Sequence, residues 1–285
     1  MRIAMLGLGR MGGALGARLL EGGHELAVWN RSPGKAGELV AAGARETGSV
    51  LEAVGDVEVA VTMLANDEAV RHVALDAGGV VASLAAGSVY VDCSTVSPAL
   101  STELAEAAGP ERFVALPVLG APAAVRSGAA TYLAGGDGAA VARLEPMLRS
   151  LCDKVRRYPE PAMALAAKLA TNLVLLSGVT ALAESFAVGR AGGLTDDQLR
   201  DLLGESPMVA PGLRNRFDGV LTGEQEPWWG TALGAKDAGL AAALARSAGL
   251  DAPVAEAVQR RLDEAAGAGA PDDDIATVGR LYRLG

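Results

Sequence analysis

Short apolar runs alternate with longer helical stretches through the first half of the chain, and the alternation stops near residue 160. "RIAML" (Arg2–Leu6), "ELAVW" (Glu25–Trp29), "VEVAVTML" (Val57–Leu64) and "SVYVDC" (Ser88–Cys93) are rich in Val, Ile and Leu. Parallel strands covered on both faces read this way. Between them lie "MGGALGARLLEGG", "PGKAGELVAAG" and "SPALSTELAEAAG", each long enough for a helix and each closed by glycine, the usual residue just past a helix end. Strands alternating with helices predict βαβ units and a doubly wound, mostly parallel sheet. Past "YPEPA" (Tyr158–Ala162) the strand pattern ends. Met163 to about Val188 predicts one long helix, and further helices are expected from near Thr195, Ala232, Pro253 and Asp274, with irregular chain around "GESPMVAPG" and "GEQEPWWG". The expected architecture is an α/β domain over residues 1–160 and an all-α domain over residues 161–285, joined by that helix.

Composition narrows the picture. A chain of 285 residues with 50% hydrophobic and only 4% aromatic positions can bury two cores packed by Ala, Val and Leu. A net charge of -9 argues against nucleic acid or an anionic membrane as main partner. Cys93 and Cys152 fit no metal or redox spacing and are expected as free, buried thiols of a reducing compartment. With His24 and His72 the only histidines, no metal site is expected. "MRIAMLGLG" mimics a short signal core but is broken by Gly7, Gly9, Gly12 and Gly13 and is followed by no cleavage site. No uncharged apolar run reaches the roughly 20 residues of a membrane span. These features predict a soluble, cytoplasmic protein.

The first strand runs into "GLGRMG" and then into a helix, the order that a dinucleotide fingerprint requires. Gly7 allows the tight turn, Gly9 lets the backbone approach a pyrophosphate, and Gly12 lets helix pack on strand. The helix N-terminus then offers its N–H groups and dipole to the phosphates. The second strand ends in "WNRSPGK". An NAD site wants a carboxylate roughly 20 residues past the glycines. Here Asn30 stands in its place, followed by Arg31, Ser32 and Lys35. Arg31 has the planar fork of donors that takes up a 2′-phosphate, so NADPH is the expected cofactor.

Lys168 is the sole charge between Pro161 and Gly178. Burying an ammonium unpaired costs several kcal/mol, so its head either reaches water along the helix surface or has a task.

Several motifs, in one order, supply a candidate task. "IAMLGLGRMG", "VTMLAND" (Val61–Asp67), "VDCSTVSP" (Val91–Pro98), "AKLATN" (Ala167–Asn172) and "GAKDAGLAAALA" (Gly234–Ala245) together resemble the β-hydroxyacid dehydrogenase family. That family includes 3-hydroxyisobutyrate dehydrogenases and glyoxylate/succinic-semialdehyde reductases. The resemblance implies a Rossmann lobe, a helical lobe that forms a homodimer, and hydride transfer between NAD(P)H and a small carbonyl. It implies that Gly7, Leu8, Gly9, Arg10, Met11 and Gly12 hold the cofactor. Leu64 and Ala65 would contact its ribose or pyrophosphate, Thr95 its nicotinamide side, and Lys236 would reach it from the second lobe. Lys168 becomes the proton donor, and Asn172, one turn away on the same helical face, would help hold substrate. Ser94 would face substrate, Asp237 would brace Lys236 beside the pocket, and Trp229 would line it.

One motif departs from the family. Its substrate turn reads roughly D-A-P-V-S-G-G, whereas this chain has "ALPVLGA" (Ala115–Ala121). Leu119 replaces a serine and Ala121 a glycine beside the retained Gly120, and Pro122 has no N–H to give. Arg126 is the nearby cation that could hold a carboxylate instead. The alternatives are an imine reductase, a lineage that shares a "VWNR"-like turn but usually lacks the helix lysine, or an NADPH-binding regulatory protein without catalysis.

Overall fold

A computed structural model describes residues 1–269 and 271–282. Strands β1 (Arg2–Leu6), β2 (Glu25–Trp29), β3 (Arg45–Glu46), β4 (Val59–Thr62), β5 (Val89–Asp92) and β6 (Phe113–Ala115) run parallel in the order β3-β2-β1-β4-β5-β6. This is the strand order of the dinucleotide-binding doubly wound sheet, whose switch point lies between β1 and β4. β7 (Val118–Leu119) and β8 (Thr131–Gly136) extend it antiparallel, and β9 (Lys154–Tyr158) lies parallel to β8.

The inner strands are buried on both faces, and their side chains alternate between two cores. Ile3 and Met5 of β1 enter one core with Leu15 and Leu19 of α1 (Arg10–Glu21). Ala4 and Leu6 enter the other, with residues of α3 (Val50–Val54), α4 (Asp67–Leu75) and α6 (Pro98–Ala108). Between α1 and α3 lies α2 (Gly37–Ala41), and α5 (Val80–Ser83) precedes β5. α7 (Pro122–Arg126), α8 (Gly138–Arg143) and α9 (Glu145–Leu151) complete the sheet unit.

The predicted strand over 57–64 is shorter in the structure because polar side chains end it. Asn66 accepts a hydrogen bond from Ala69 N–H at 2.9 Å and caps α4, so residues 63–66 leave the sheet as a loop. In the same way Ser97 caps α6 and detaches residues 93–96 from β5. The helix expected over 33–43 shrinks to α2 because Gly34 adopts φ +79 in a turn.

α10 (Pro161–Ala191) has 31 residues, longer than the predicted helix at both ends. By length and composition it could cross a membrane. Its buried positions nevertheless serve two protein cores. Ala164 and Leu165 join the second core of the sheet unit, and Leu176, Val179, Leu182 and Phe186 that of the helical unit. The chain divides into compact units within this helix, between Lys168 and Leu169.

In the helical unit α11 (Asp196–Gly204) starts at a full capping box of Thr195 and Gln198. The stretches around 205–210 and 223–230 are irregular as expected, the short helices α12 (Pro211–Arg214) and α13 (Phe217–Thr222) lie between them, and the long helices α14 (Thr231–Ser247) and α15 (Pro253–Ala268) follow. The helix expected from Asp274 is a 3₁₀ stretch, Ile275–Tyr282.

Candidate active site

The glycines of the fingerprint turn do different work. Gly7 has φ +96, and a Cβ there would strike the Met63 carbonyl. A Cβ at Gly12 would strike the carbonyl of Gly7. Both are therefore needed for the turn and the helix to close. A Cβ at Gly9 would touch nothing within 4 Å. Its smallness is not required by the protein and leaves room for a ligand to approach the backbone. No side chain caps α1, and no carboxylate sits in its first turn, which suits an incoming phosphate. Arg10 is exposed at its start, and Met11 is half-buried on the core.

Asn30 ties the next loop to this turn. Its Oδ1 accepts from Leu8 N–H at 2.9 Å and its Nδ2 donates to the Ser32 carbonyl at 2.8 Å. Leu8 is thus held by its backbone, with its side chain buried. Arg31, Ser32 and Lys35 beyond are exposed, so a cationic rim flanks the end of β2. Residues of the β4 and β5 loops gather on the other side of β1. Leu64 is half-buried, Ala65 exposed and Thr95 half-buried. The residues present therefore fit a dinucleotide.

Ser94 differs from expectation. It is fully buried, donates its hydroxyl to Asp92 Oδ1 at 2.6 Å and accepts from Leu64 N–H at 2.9 Å. Its hydroxyl joins the loops that follow β4 and β5.

Lys168 ends the sheet unit and is anchored to it. Its Nζ donates to the Val118 carbonyl on β7 at 2.7 Å. Gly135 on β8 permits this approach of α10, since a Cβ there would lie 2.7 Å from Ala164 Cβ and 2.6 Å from the Glu160 carbonyl. The ammonium therefore sits at the strand that leads into Leu119, Gly120 and Ala121. Leu119 and Ala121 are half-buried, and Gly120 holds φ +149. Arg126 points away from the role considered for it. It is exposed and pairs with Glu38 of α2 at 3.1 Å.

Within the helical unit, Asn172 has a protein partner of its own. It is buried and its Nδ2 donates to Asp237 Oδ2 at 2.8 Å, so its amide braces α14. Lys236 Nζ lies 2.9 Å from Asp237 Oδ1, an ion pair by distance that lacks hydrogen-bond alignment. Trp229 is half-buried against the helical core.

Sequence reasoning passed over Asp274 and Arg216, both fully buried. Asp274 accepts from Arg216 Nε at 2.9 Å and from the N–H groups of Trp228, Trp229 and Ala276. The Arg216 guanidinium lies 3.4 Å over the Trp228 ring. The carboxylate thus fixes the segment that carries Trp229. The adjacent tryptophans before a long helix are the sole sequence signal of it.

Fold and site together define a nicotinamide-dependent oxidoreductase with a nucleotide-binding sheet unit and a helical unit. Residues 2–158 match the NAD binding domain of 6-phosphogluconate dehydrogenase, and residues 163–282 the NAD-binding domain of NADP-dependent 3-hydroxyisobutyrate dehydrogenase. The chain belongs to the β-hydroxyacid dehydrogenase family, whose members act on CH–OH groups. The 3-hydroxyisobutyrate dehydrogenase of Pseudomonas aeruginosa is 30% identical, covering 99% of this chain and 98% of that one. Glyoxylate/succinic semialdehyde reductase 1 of Arabidopsis thaliana is 30% identical over 98% of this chain and 97% of its own. The crystal structure of 3-hydroxyisobutyrate dehydrogenase from Salmonella typhimurium superposes with a TM-score of 0.87 at 27% identity, covering 99% of both chains.

Proposed function

We propose that this enzyme uses NADPH to reduce a small, weakly polar aldehyde or ketone, with Lys168 as proton donor. The observation that carries the reading is the 2.7 Å hydrogen bond from Lys168 Nζ to Val118. It aims a charged donor at the turn where the family binds substrate. When bound, the nicotinamide supplies the hydride. Lys168 then stabilises the charge gathering on the carbonyl oxygen and gives it a proton. Gly9 and the start of α1 hold the pyrophosphate, and Arg31, with Ser32 and Lys35, holds the 2′-phosphate.

The relatives are named for hydroxy- and oxo-acids, but the turn at Leu119–Pro122 supports a less polar substrate. A carboxylate there would lack the serine hydroxyl and a backbone donor, a loss of about 1–3 kcal/mol each where the missing contact is charged. The Arg126–Glu38 pair supports the same reading, because a substrate anion would compete with a carboxylate already in place. Lys168→Ala should leave fold and NADPH affinity intact while lowering turnover roughly 10²–10⁴-fold. Normal turnover by that variant refutes the proton-donor role. The substrate panel sets succinic semialdehyde against an uncharged aldehyde of similar length and a cyclic imine. Strong preference for the acid, abolished by Arg126→Ala, would overturn the apolar pocket. NADPH binding without turnover of any of them would favour a regulatory role.

The same reading makes the protein a cytoplasmic homodimer joined through its helical unit. The dimer is supported by the large apolar side chains that the helical unit leaves exposed, Val188, Leu202 and Met208 among them. A monomeric mass in sedimentation equilibrium would refute it.

A further inference from the structure

The loops that follow β4 and β5 are joined by a buried chain of hydrogen bonds with a fixed direction. Leu64 N–H donates to Ser94 Oγ at 2.9 Å. Ser94 Oγ has one proton, and it goes to Asp92 Oδ1 at 2.6 Å. The Ser94 N–H also donates to that oxygen at 3.1 Å, and Thr62 Oγ1 donates to it at 2.7 Å. With its proton so used, Thr62 Oγ1 accepts from Tyr90 OH at 2.9 Å. Asp92 is 1% exposed, and Thr62, Tyr90 and Ser94 are 0% exposed, so water supplies none of these bonds. Three donors, the Ser94 hydroxyl, the Ser94 N–H and the Thr62 hydroxyl, converge on Asp92 Oδ1, and the Leu64 N–H and Tyr90 hydroxyl join it through Ser94 and Thr62. Burial pushes its carboxyl up, and the donors from Ser94 and Thr62 draw it back.

The far end of the chain reaches the cofactor turn. Leu64 Cδ2 and the Met63 carbonyl fill the space that a Cβ on Gly7 would need, so the height of residues 63–64 sets the height of the turn. A second tie lies farther along the same loops. Ser97 donates its N–H to Asp67 Oδ1 at 2.9 Å and its hydroxyl to Oδ2. The two loops are thereby fastened at both ends.

We infer that Asp92 is a positioning residue for the dinucleotide, holding the β4 loop through Ser94 and Leu64 against the Gly7 turn. It touches neither cofactor nor substrate. A hydrogen bond lost inside such a cluster leaves a buried donor unsatisfied, and the loop moves to satisfy it. The consequence is weaker cofactor binding, with substrate recognition unaltered. The inference rests on the family's cofactor site and not on the choice of substrate.

The test uses the full chain and titrates NADPH by its fluorescence. Ser94→Ala should raise the NADPH Kd roughly tenfold, the equivalent of one such lost bond. The substrate KM at saturating NADPH should stay within about twofold. Asp92→Ala removes the acceptor of the Ser94 and Thr62 donors and should raise the Kd at least as much as Ser94→Ala. Asp92→Asn keeps an accepting oxygen and should recover most of that loss. An unchanged Kd in Asp92→Ala would overturn the inference. If Ser94→Ala does not fold, Ser94→Cys keeps the volume, replaces a strong bond with a weak one, and should raise the Kd by severalfold. An unchanged Kd with a raised substrate KM would overturn the inference in favour of direct substrate contact by Ser94. An unchanged Kd in both Ser94 variants would overturn it outright. Failure of the unaltered chain to bind either nicotinamide cofactor would refute the cofactor site itself, a result distinct from either.

Discussion

Three glycines within six positions illustrate how much a single residue decides. Gly7 and Gly12 are small because protein atoms occupy the place of a Cβ, whereas Gly9 faces open space. Gly12→Ala should therefore destabilise the sheet unit by at least the ~1–3 kcal/mol of an overpacked core, visible as a lowered melting temperature. Gly9→Ala should melt as the parent does and bind NADPH roughly tenfold more weakly or worse, about 1.4 kcal/mol. The reverse pattern would show the fingerprint misread. The exposed rim makes its own test. Arg31→Ala should erode the preference for NADPH over NADH by up to the ~1.5–3 kcal/mol of a charged hydrogen bond, and more weakly at high salt because the site is open to solvent. Equal affinity of the unaltered chain for both cofactors would refute the assignment.

At the scale of elements, α10 and the segment before α14 are placed by buried polar contacts. The sheet unit holds the first turns of α10 with Lys168 on Val118, and the helical unit holds a later turn with Asn172 on Asp237. The Arg216–Asp274 pair makes an asymmetry measurable. Replacing Arg216 by Met leaves Asp274 with three backbone N–H donors and also removes two guanidinium nitrogens that lack hydrogen-bond partners. Replacing Asp274 by Ala strands a buried cation and those three N–H groups together. Asp274→Ala should cost at least the ~3–5 kcal/mol of a broken buried pair, and Arg216→Met distinctly less. Denaturant unfolding of both variants decides it, and equal losses would show that the carboxylate is not the hub.

For the whole molecule, a cofactor that binds only the folded state stabilises it by mass action, about 2.7 kcal/mol at a hundredfold excess over Kd. NADPH should raise the melting temperature and slow amide exchange first in residues 7–12, 63–66 and 93–96. Exchange slowed only in the helical unit would contradict the site. The sheet and helical units have separate cores, so the melting curve need not be two-state.

Much of this was legible in the chain alone. Apolar runs of strand length, glycine stops and the placement of "GLGRMG" determined the doubly wound sheet and its cofactor end, because backbone periodicity and turn geometry are local properties. β1 and β2 begin and end at the residues predicted. Strands β6 to β9 were not legible: β6 and β7 are short and parted by Pro117, β8 ends in the Gly135–Gly136 pair and meets both of them antiparallel, and β9 carries mostly charged residues with no apolar run to announce it. The partners of polar side chains were equally hidden. Ser94 bonds to Asp92 and Leu64, Asn172 to Asp237, Arg126 to Glu38, and Asp274 to Arg216. Sequence can show that a hydroxyl, amide or guanidinium is present. Which partner it meets depends mostly on the packing of elements far apart in the chain, as Tyr90 donating to Thr62, 28 residues away, and Arg126 to Glu38, 88 residues away, show, and only the tertiary structure decides that.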